Sequence, residues 1–390
     1  MLVAANQEGE LIHSTRAADR KEDEFSCPIC RKRVLYKAGR KRIPHFAHQR
    51  EENCPGMDEA ESFIHLEGKN LLHEWASQWA ERAVLERYYD SICQRADIEA
   101  YAEGRAFAIE YQCSPLSVKR LIERTLGYKK IEIEPVWIFH SRFLKKQGNL
   151  LWSLTSSLQS AIRLSPLGVP YLLFFDCHTP NTFILLTNLI PITKELFFGQ
   201  AESIALTGKS LLQILNPQAR TILFIPEWMR KRESLIRNEW RYQGITNPLL
   251  RSFYSLGIQS NLPRMIGIPL RSSVLFGIPS HHWQGYVILD LLDCQVKEGE
   301  IRADGIRKRF MDRLRKREIL IRDLPSDSIS LFTPVEEFMR FLEKAEYLIK
   351  NGENSYIIKE GFPIKTIRQE ELNHLLVDFF KEENDALWRN

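Results

Sequence analysis

No stretch of this 390-residue chain is apolar for the ~18 residues that crossing a bilayer requires. The best run, Val169 to Phe175, is far too short. The opening residues, MLVAANQEGE, lack a basic region followed by an apolar one, so a secretory leader is not expected. Both absences point to a soluble, cytoplasmic protein. The chain also lacks internal repeats and low-complexity tracts, which excludes a solenoid or a linker-rich scaffold. Charge of one sign is scarce in the balance: 54 basic against 50 acidic residues leave only +4. Composition alone therefore does not mark a polyanion binder, and only local clustering is informative. Seven cysteines, an odd number in a long chain, do not make a disulfide framework. Cys93, Cys113, Cys177 and Cys294 are scattered among apolar neighbours and read as core residues.

What is present suits a folded protein of more than one domain. Apolar residues make up 44% and charged residues 27%, which excludes a mostly disordered chain. The length exceeds what one core usually holds. Three regions separate by composition. Residues 1–58 are polar and rich in Cys, His, Arg and Lys; residues 59–140 alternate helix-like and strand-like patterns; residues 141–390 are long, mixed and read as mostly helical.

The first region carries Cys27-Pro-Ile-Cys30, followed by His45, His48 and Cys54. VLYK (34–37) and RIPHFAH (42–48) read as two short strands, too little for an apolar core of their own, so a metal is expected to hold them. Thiolates and imidazoles at this spacing make tetrahedral Zn²⁺ sites. Two ligand sets fit: Cys27, Cys30, His48 and Cys54, or Cys27, Cys30, His45 and His48. The first is preferred, because thiolate is the better ligand and His45 continues a strand. No βαβ pattern surrounds the pair to suggest redox chemistry. Four protein ligands leave no open position, so this Zn²⁺ is expected to be structural. The hairpin between its ligands carries Arg31, Lys32, Arg33, Lys37, Arg40, Lys41 and Arg42 without an acid between them. Such a ribbon is either a solvated face or a contact for a phosphate backbone.

In the second region, Glu59 to about Arg82 reads as a helix and Ala83–Tyr89 as a strand. RADIEAY (95–101) and RAFAIEYQC (105–113) read as a hairpin turning at Glu103-Gly104. Ser114-Pro115 reads as the start of a helix that stops at Gly127, and VWIFH (136–140) as a buried strand. The order is α-β-β-β-α-β. Glu110 and Gln112 share one face of their strand, and pairing across the turn brings Asp97 beside Glu110. Two carboxylates and an amide make a site for a hard cation, Mg²⁺ or Mn²⁺, which suits phosphodiester hydrolysis. The competing reading is a buried salt bridge from Glu110 to Arg95, Arg105 or Arg124. Upstream, Glu61, His65, Lys69 and His73 repeat every four residues. That is a solvent stripe, or else Glu61 assists the metal while His65 and Lys69 touch a scissile phosphate.

ADIEAYAEGRAFAIEYQCSPLS, with CPIC…HFAH…C and ESFIHLEGK upstream, resembles the competence protein CoiA family over residues 1–140, and much more weakly beyond. The resemblance implies a role in natural transformation and a PD-(D/E)XK-type nuclease core within a mixed α+β protein. It implies Asp97 as the motif aspartate, Glu110 as the second acid, Gln112 in the usual lysine position, Glu61 as the helix-borne acid, and Arg124 and Tyr128 as a polar pair on the next helix. Glutamine hydrogen-bonds water but supplies neither charge nor proton. The implied partners are DNA, single-stranded or branched, and recombination or DNA-uptake proteins. A non-catalytic DNA-binding mediator is the alternative.

In the third region, MRKRESLIRNEWRY (229–242) interleaves basic and aromatic residues, and 302–322 holds nine basic residues against three acids. Both suit single-strand tracking or the wet face of a helix. TPVEEFMRFLEKAEYL (333–348) followed by two β-like runs around Asn351-Gly352 resembles a winged helix within about 300–360. Asp176, Cys177 and His178 are adjacent; a core thiol beside an incidental histidine is preferred over a nucleophile pair.

Overall fold

The structure, a computed structural model, describes residues 1–19, 24–39, 42–49, 54, 61–217, 224–258, 261–324, 330–352, 354–360, 362 and 367–387. It forms two compact units. One takes Met1–Leu144, Leu172–Leu185 and Glu202–Leu215; the other takes Lys145–Tyr171, Leu186–Ala201 and Asn216–Asn390.

The first unit opens with a small antiparallel sheet of β1 (Val3–Ala5), β2 (Leu11–His13), β3 (Phe25–Ser26), β4 (Arg33–Gly39) and β5 (Arg42–Ala47), in the order β2-β1-β3-β4-β5. Its few apolar side chains, among them Ala4, Phe25, Val34 and Phe46, gather around Cys27 and Cys54.

The α-β-β-β-α-β order follows, as α1 (Phe63–Trp79), β6 (Arg82–Leu85), β7 (Ile98–Ala102), β8 (Arg105–Gln112), α2 (Val118–Lys130) and β9 (Glu134–His140). β6, β7 and β8 are antiparallel neighbours, and β9 lies parallel to β8. β10 (Pro170–Phe175) lies parallel to β9. β11 (Thr182–Pro191) and β12 (Leu196–Ala205) continue the sheet order, and part of each belongs to this unit. The hairpin turns where expected: Glu103 and Gly104 both have positive φ, 52° and 73°, the backbone a two-residue turn needs to match strand twist. Ile98 pairs with Ile109, so continuing the register sets Asp97 against Glu110.

Three local expectations fail for physical reasons. The second helix starts at Val118, not at Ser114-Pro115, because Gln112 Nε2 donates to both the carbonyl and the hydroxyl of Ser114, and Ser117 caps the helix instead. Gly127 does not stop that helix. A Cβ there would lie 2.4 Å from the Gln94 amide, so this glycine permits close packing. Residues 170–205 contribute three long strands where helix was expected. Runs such as PYLLFF are buried on both faces, and hydrophobic periodicity does not separate a buried strand from a buried helix.

The second unit is mainly helical: α3 (Ile225–Tyr242), α4 (Pro248–Ser255), α5 (Ser280–Glu298), α6 (Ala303–Arg315), α7 (Thr333–Lys344) and α8 (Gln369–Leu387). Phe276, Trp283, Phe310 and Phe338 form a chain of ring contacts at its centre. β13 (Ile301–Arg302), β14 (Leu348–Lys350) and β15 (Ser355–Ile358) form a small sheet in the order β13-β15-β14. Two helices followed by a hairpin thus occur where a winged helix was expected. The helix before the hairpin, however, is buried at Val335, Phe338, Met339, Phe341 and Leu342, and Phe379 of α8 packs on Phe341 at 5.5 Å.

Candidate active site and metal centre

The loop Cys27–Cys30 and the chain beyond β5 bring Cys27, Cys30, His48 and Cys54 together, with ligand atoms all within 4.8 Å of one another. Cys27 and Cys54 sulfurs are 3.8 Å apart, and Cys30 Sγ is 3.2 Å from His48 Nε2. Atoms held ~2.3 Å from a central ion at tetrahedral angles lie about 3.8 Å apart, so the spacing fits a Cys3His metal centre. His45 is turned elsewhere, with Nδ1 3.0 Å from the Ile43 carbonyl oxygen. Burial pushes the Cys27 thiol up to about 12, a cost that a bound cation relieves. Arg31, Lys32 and Arg33 are exposed, and Arg33 pairs with Glu24 at 3.1 Å. Arg40 and Lys41 lie outside the described residues, as does the side chain of Arg42.

The carboxylates gather in a cleft of about 330 Å³ whose walls include Glu61, His65, Asp97, Glu110 and Gln112. Asp97 is 7% exposed. Its Oδ2 accepts from the Tyr111 amide at 2.9 Å and lies 3.1 Å from His65 Nε2, while Oδ1 lies 3.7 Å from Lys69 Nζ. Burial pushes Asp97 up, but His65 and Lys69 outweigh it and hold the group well below the usual carboxylate range. Glu110 behaves oppositely. Burial raises it, against the pull of Arg124, and the neighbouring Asp97 charge raises it further. Its Oε1 accepts from both Arg124 and the Tyr128 hydroxyl. Arg124 also donates to the Arg95 carbonyl at 2.8 Å. The buried ion pair weighed for Glu110 is therefore present, with Arg124 as the partner.

The expected stripe divides: Glu61 is not helix-borne, because Ser62 caps α1 and the helix begins at Phe63, so only His65, Lys69 and His73 lie on it. Lys69 is fully buried, 2.5 Å from both Glu61 and Glu86, and does not line the cleft. Its surroundings are those of a countercharge. Glu61 Oε1 is held by Lys69 and by Arg95 at 3.0 Å. His73 Nε2 faces the Ala83 carbonyl at 3.4 Å. Tyr111 packs over α1 where Gly68 leaves room: a Cβ at Gly68 would meet the ring at 2.0 Å. Among the described residues, Asp97, Glu110 and Glu61 are not one of the groups whose three ligand atoms all converge within 4.8 Å.

Glu86 escaped the sequence reading. It is buried at a φ of 55°, binds Lys69, and accepts the amides of Leu2 and Val3 at 2.9 and 3.1 Å. Nothing in ERYY marks it, because its partners are distant in sequence. Arg95, Arg120 and Arg142 also line the cleft beside Arg124. Elsewhere, Cys177 is a buried thiol pushed up to about 11 by burial, and His178 is exposed. That is a core thiol and not an activated nucleophile. On α6, Arg307, Arg309, Arg313 and Arg315 pair with Glu336, Asp293, Asp290 and Asp312, the arrangement of an ion-paired helix face. On α3, Arg232 is buried and spent on the carbonyls of Leu262, Pro263 and Ile266.

Three family models match the chain: the N-terminal domain of competence protein CoiA over residues 10–57, its nuclease-like domain over 61–219 and its C-terminal domain over 226–372. Competence protein CoiA of Bacillus subtilis (strain 168) is 26% identical over 343 residues, covering 87% of this chain and 91% of that protein. No solved structure matches. Among the described residues, no helix is long and apolar enough to cross a membrane.

Proposed function

The chain belongs to the competence protein CoiA family and carries its nuclease-like domain, and from that premise we propose that it is a metal-dependent DNA nuclease acting on single-stranded or branched DNA during transformation. The observation that carries the reading is the pair Asp97 and Glu110. These are two buried acids, Asp97 immediately before β7 and Glu110 on the neighbouring β8, near enough for the Asp97 charge to raise Glu110, both facing a cleft whose other walls are rich in arginine. Like charges kept together in a cleft suit a divalent cation.

Asp97 and Glu110 are the residues that would hold Mg²⁺ or Mn²⁺, alongside the protein donors that already reach Asp97 Oδ2 and Glu110 Oε1. A divalent ion held by these two acids would supply Lewis-acid polarisation of the phosphate and a more acidic water. The chain's own groups do the rest. Gln112 spends Nε2 on Ser114 and keeps Oε1 to accept a hydrogen from the attacking water. Arg120 and Arg142 offer charge to the DNA backbone. His65 fixes Asp97 through Oδ2 and stands on the cleft wall for phosphate contact. Lys69 acts behind the wall, neutralising Glu61 and Glu86 so that Asp97 stays ionised. The Cys3His centre holds structural Zn²⁺ and fixes the basic hairpin beside it, which offers Arg31, Lys32 and Arg33 to DNA. The implied partners are recombination or uptake proteins in the cytoplasm.

The second reading, a DNA-binding mediator without catalysis, is favoured by one observation: Glu110 already has Arg124 as its counterion. Mn²⁺ titration separates the two. A nuclease binds Mn²⁺ in a way the Asp97→Ala/Glu110→Ala double variant abolishes, whereas a mediator binds Mn²⁺ no differently from that variant.

A further inference from the structure

The second unit brings together three side chains that the nuclease reading does not use. Glu239 lies near the C-terminal end of α3, and His281 and His282 lie in the first turn of α5. The two imidazoles stand nearly perpendicular, at 86°, with ring centroids 4.6 Å apart. Both aim Nε2 at one carboxylate. His281 Nε2 is 3.1 Å from each Glu239 oxygen, and His282 Nε2 is 3.0 Å from Oε2. The three ligand atoms all lie within 4.8 Å of one another.

From this geometry we propose that Glu239, His281 and His282 form a second metal site, which takes a divalent first-row transition ion. Two ligands at right angles and ~2.1 Å from an ion lie about 3.0 Å apart, which is the spacing found here. Two imidazoles and a carboxylate favour Zn²⁺, Co²⁺, Ni²⁺ or Fe²⁺ over Mg²⁺ and Ca²⁺, which prefer oxygen.

Charge supports the assignment. Glu239 is mostly buried, and no Lys or Arg pairs with it among the described residues; its ion-pair partners are the two histidines. Arg232, the nearby cation on the same helix, is committed to backbone carbonyls. Hydrogen bonding without an ion would have both imidazoles donate from Nε2 to the two carboxylate oxygens. An ion would instead take the lone pair of each Nε2, with the imidazole hydrogens on Nδ1. His281 is almost fully buried and His282 is about a quarter exposed, so the site is reachable from one side. Three protein ligands leave positions for water, which makes the ion exchangeable, unlike the closed Cys3His centre.

The test uses the full-length Asp97→Ala/Glu110→Ala protein with its Cys3His centre filled by Zn²⁺, so that neither of those sites answers, while thiolate charge transfer would betray an ion at the convergent His140, Asp176 and Cys177. Added Co²⁺ is expected to give a weak visible d–d spectrum without thiolate charge transfer, and to bind with one ion per chain. Adding Glu239→Gln or His282→Asn should remove that binding while circular dichroism stays unchanged. His282→Asn, at a partly exposed position, guards against a variant that fails to fold. Absence of the spectrum, or its persistence in both variants, overturns the site.

Discussion

Replacing Arg124 by methionine isolates the electrostatics of the cleft. Arg124 is 8% exposed and Glu110 is 5% exposed. Arg124 bonds Glu110, and reaches the Arg95 carbonyl at 2.8 Å and the Tyr128 hydroxyl at 3.1 Å. Methionine keeps the apolar stem but leaves Glu110 buried without a cation. Breaking one side of such a pair costs about 3–5 kcal/mol, much more than the intact pair contributes over an apolar substitute. In a unit of this size that corresponds to a fall on the order of 10 °C in its thermal transition.

The loss should depend on pH in one direction. Burial already raises Glu110, and removing Arg124 raises it further. A group raised in the folded state contributes stability that is complete below its unfolded value and is lost as pH rises through the folded value. The deficit of Arg124→Met should therefore be smallest at about pH 4 and grow toward neutrality. Adding Glu110→Gln removes the stranded charge and should return part of the loss, with a coupling of at least ~1.5 kcal/mol. Urea unfolding of the four proteins at two pH values measures this. A deficit under ~1 kcal/mol at pH 7 with no coupling to Glu110→Gln would refute the buried-pair account.

Other consequences follow from the same geometry. Gly68→Ala sets a methyl 2.0 Å from the Tyr111 ring. It should lower stability by about 1–3 kcal/mol in urea titration, whereas an unchanged midpoint would mean that α1 does not press on β8 there. Lys69→Met strands Glu86 and leaves Glu61 to Arg95, so it should destabilise by about as much as Arg124→Met, and a Glu86→Gln partner should lessen the loss. Chelation or Cys30→Ser should release one zinc per chain and make residues 1–58 susceptible to limited proteolysis, and unchanged resistance after zinc loss would make the metal dispensable to the module.

How much of this was legible in the sequence depends on distance along the chain. The CxxC pair and its later ligands, the hairpin at Glu103-Gly104 and the juxtaposition of Asp97 with Glu110 are local patterns, and spacing conveys them. Glu86 was invisible because its partners, Lys69 and the amides of Leu2 and Val3, meet it only after folding. Lys69, expected either on a solvent face or at a scissile phosphate, is buried instead, for a related reason. A four-residue repeat fixes a helix face but not what covers it, and here Glu61 and Glu86 enclose the amine. Gly127 looked like a helix end because glycine often is one, whereas its use here, admitting Gln94, is tertiary. The basic run of α6 likewise resembled a DNA face until its acidic partners on α5 and α7 were placed.

The central claim is catalytic, and DNA cleavage tests it most directly. Labelled single-stranded, duplex and branched DNA would be incubated with the full-length protein and Mn²⁺ or Mg²⁺, beside the Asp97→Ala/Glu110→Ala variant. The account predicts metal-dependent cutting of single-stranded or branched DNA that the variant loses while it still binds DNA. Binding without cleavage on every substrate, or cleavage that persists in the variant, would contradict it.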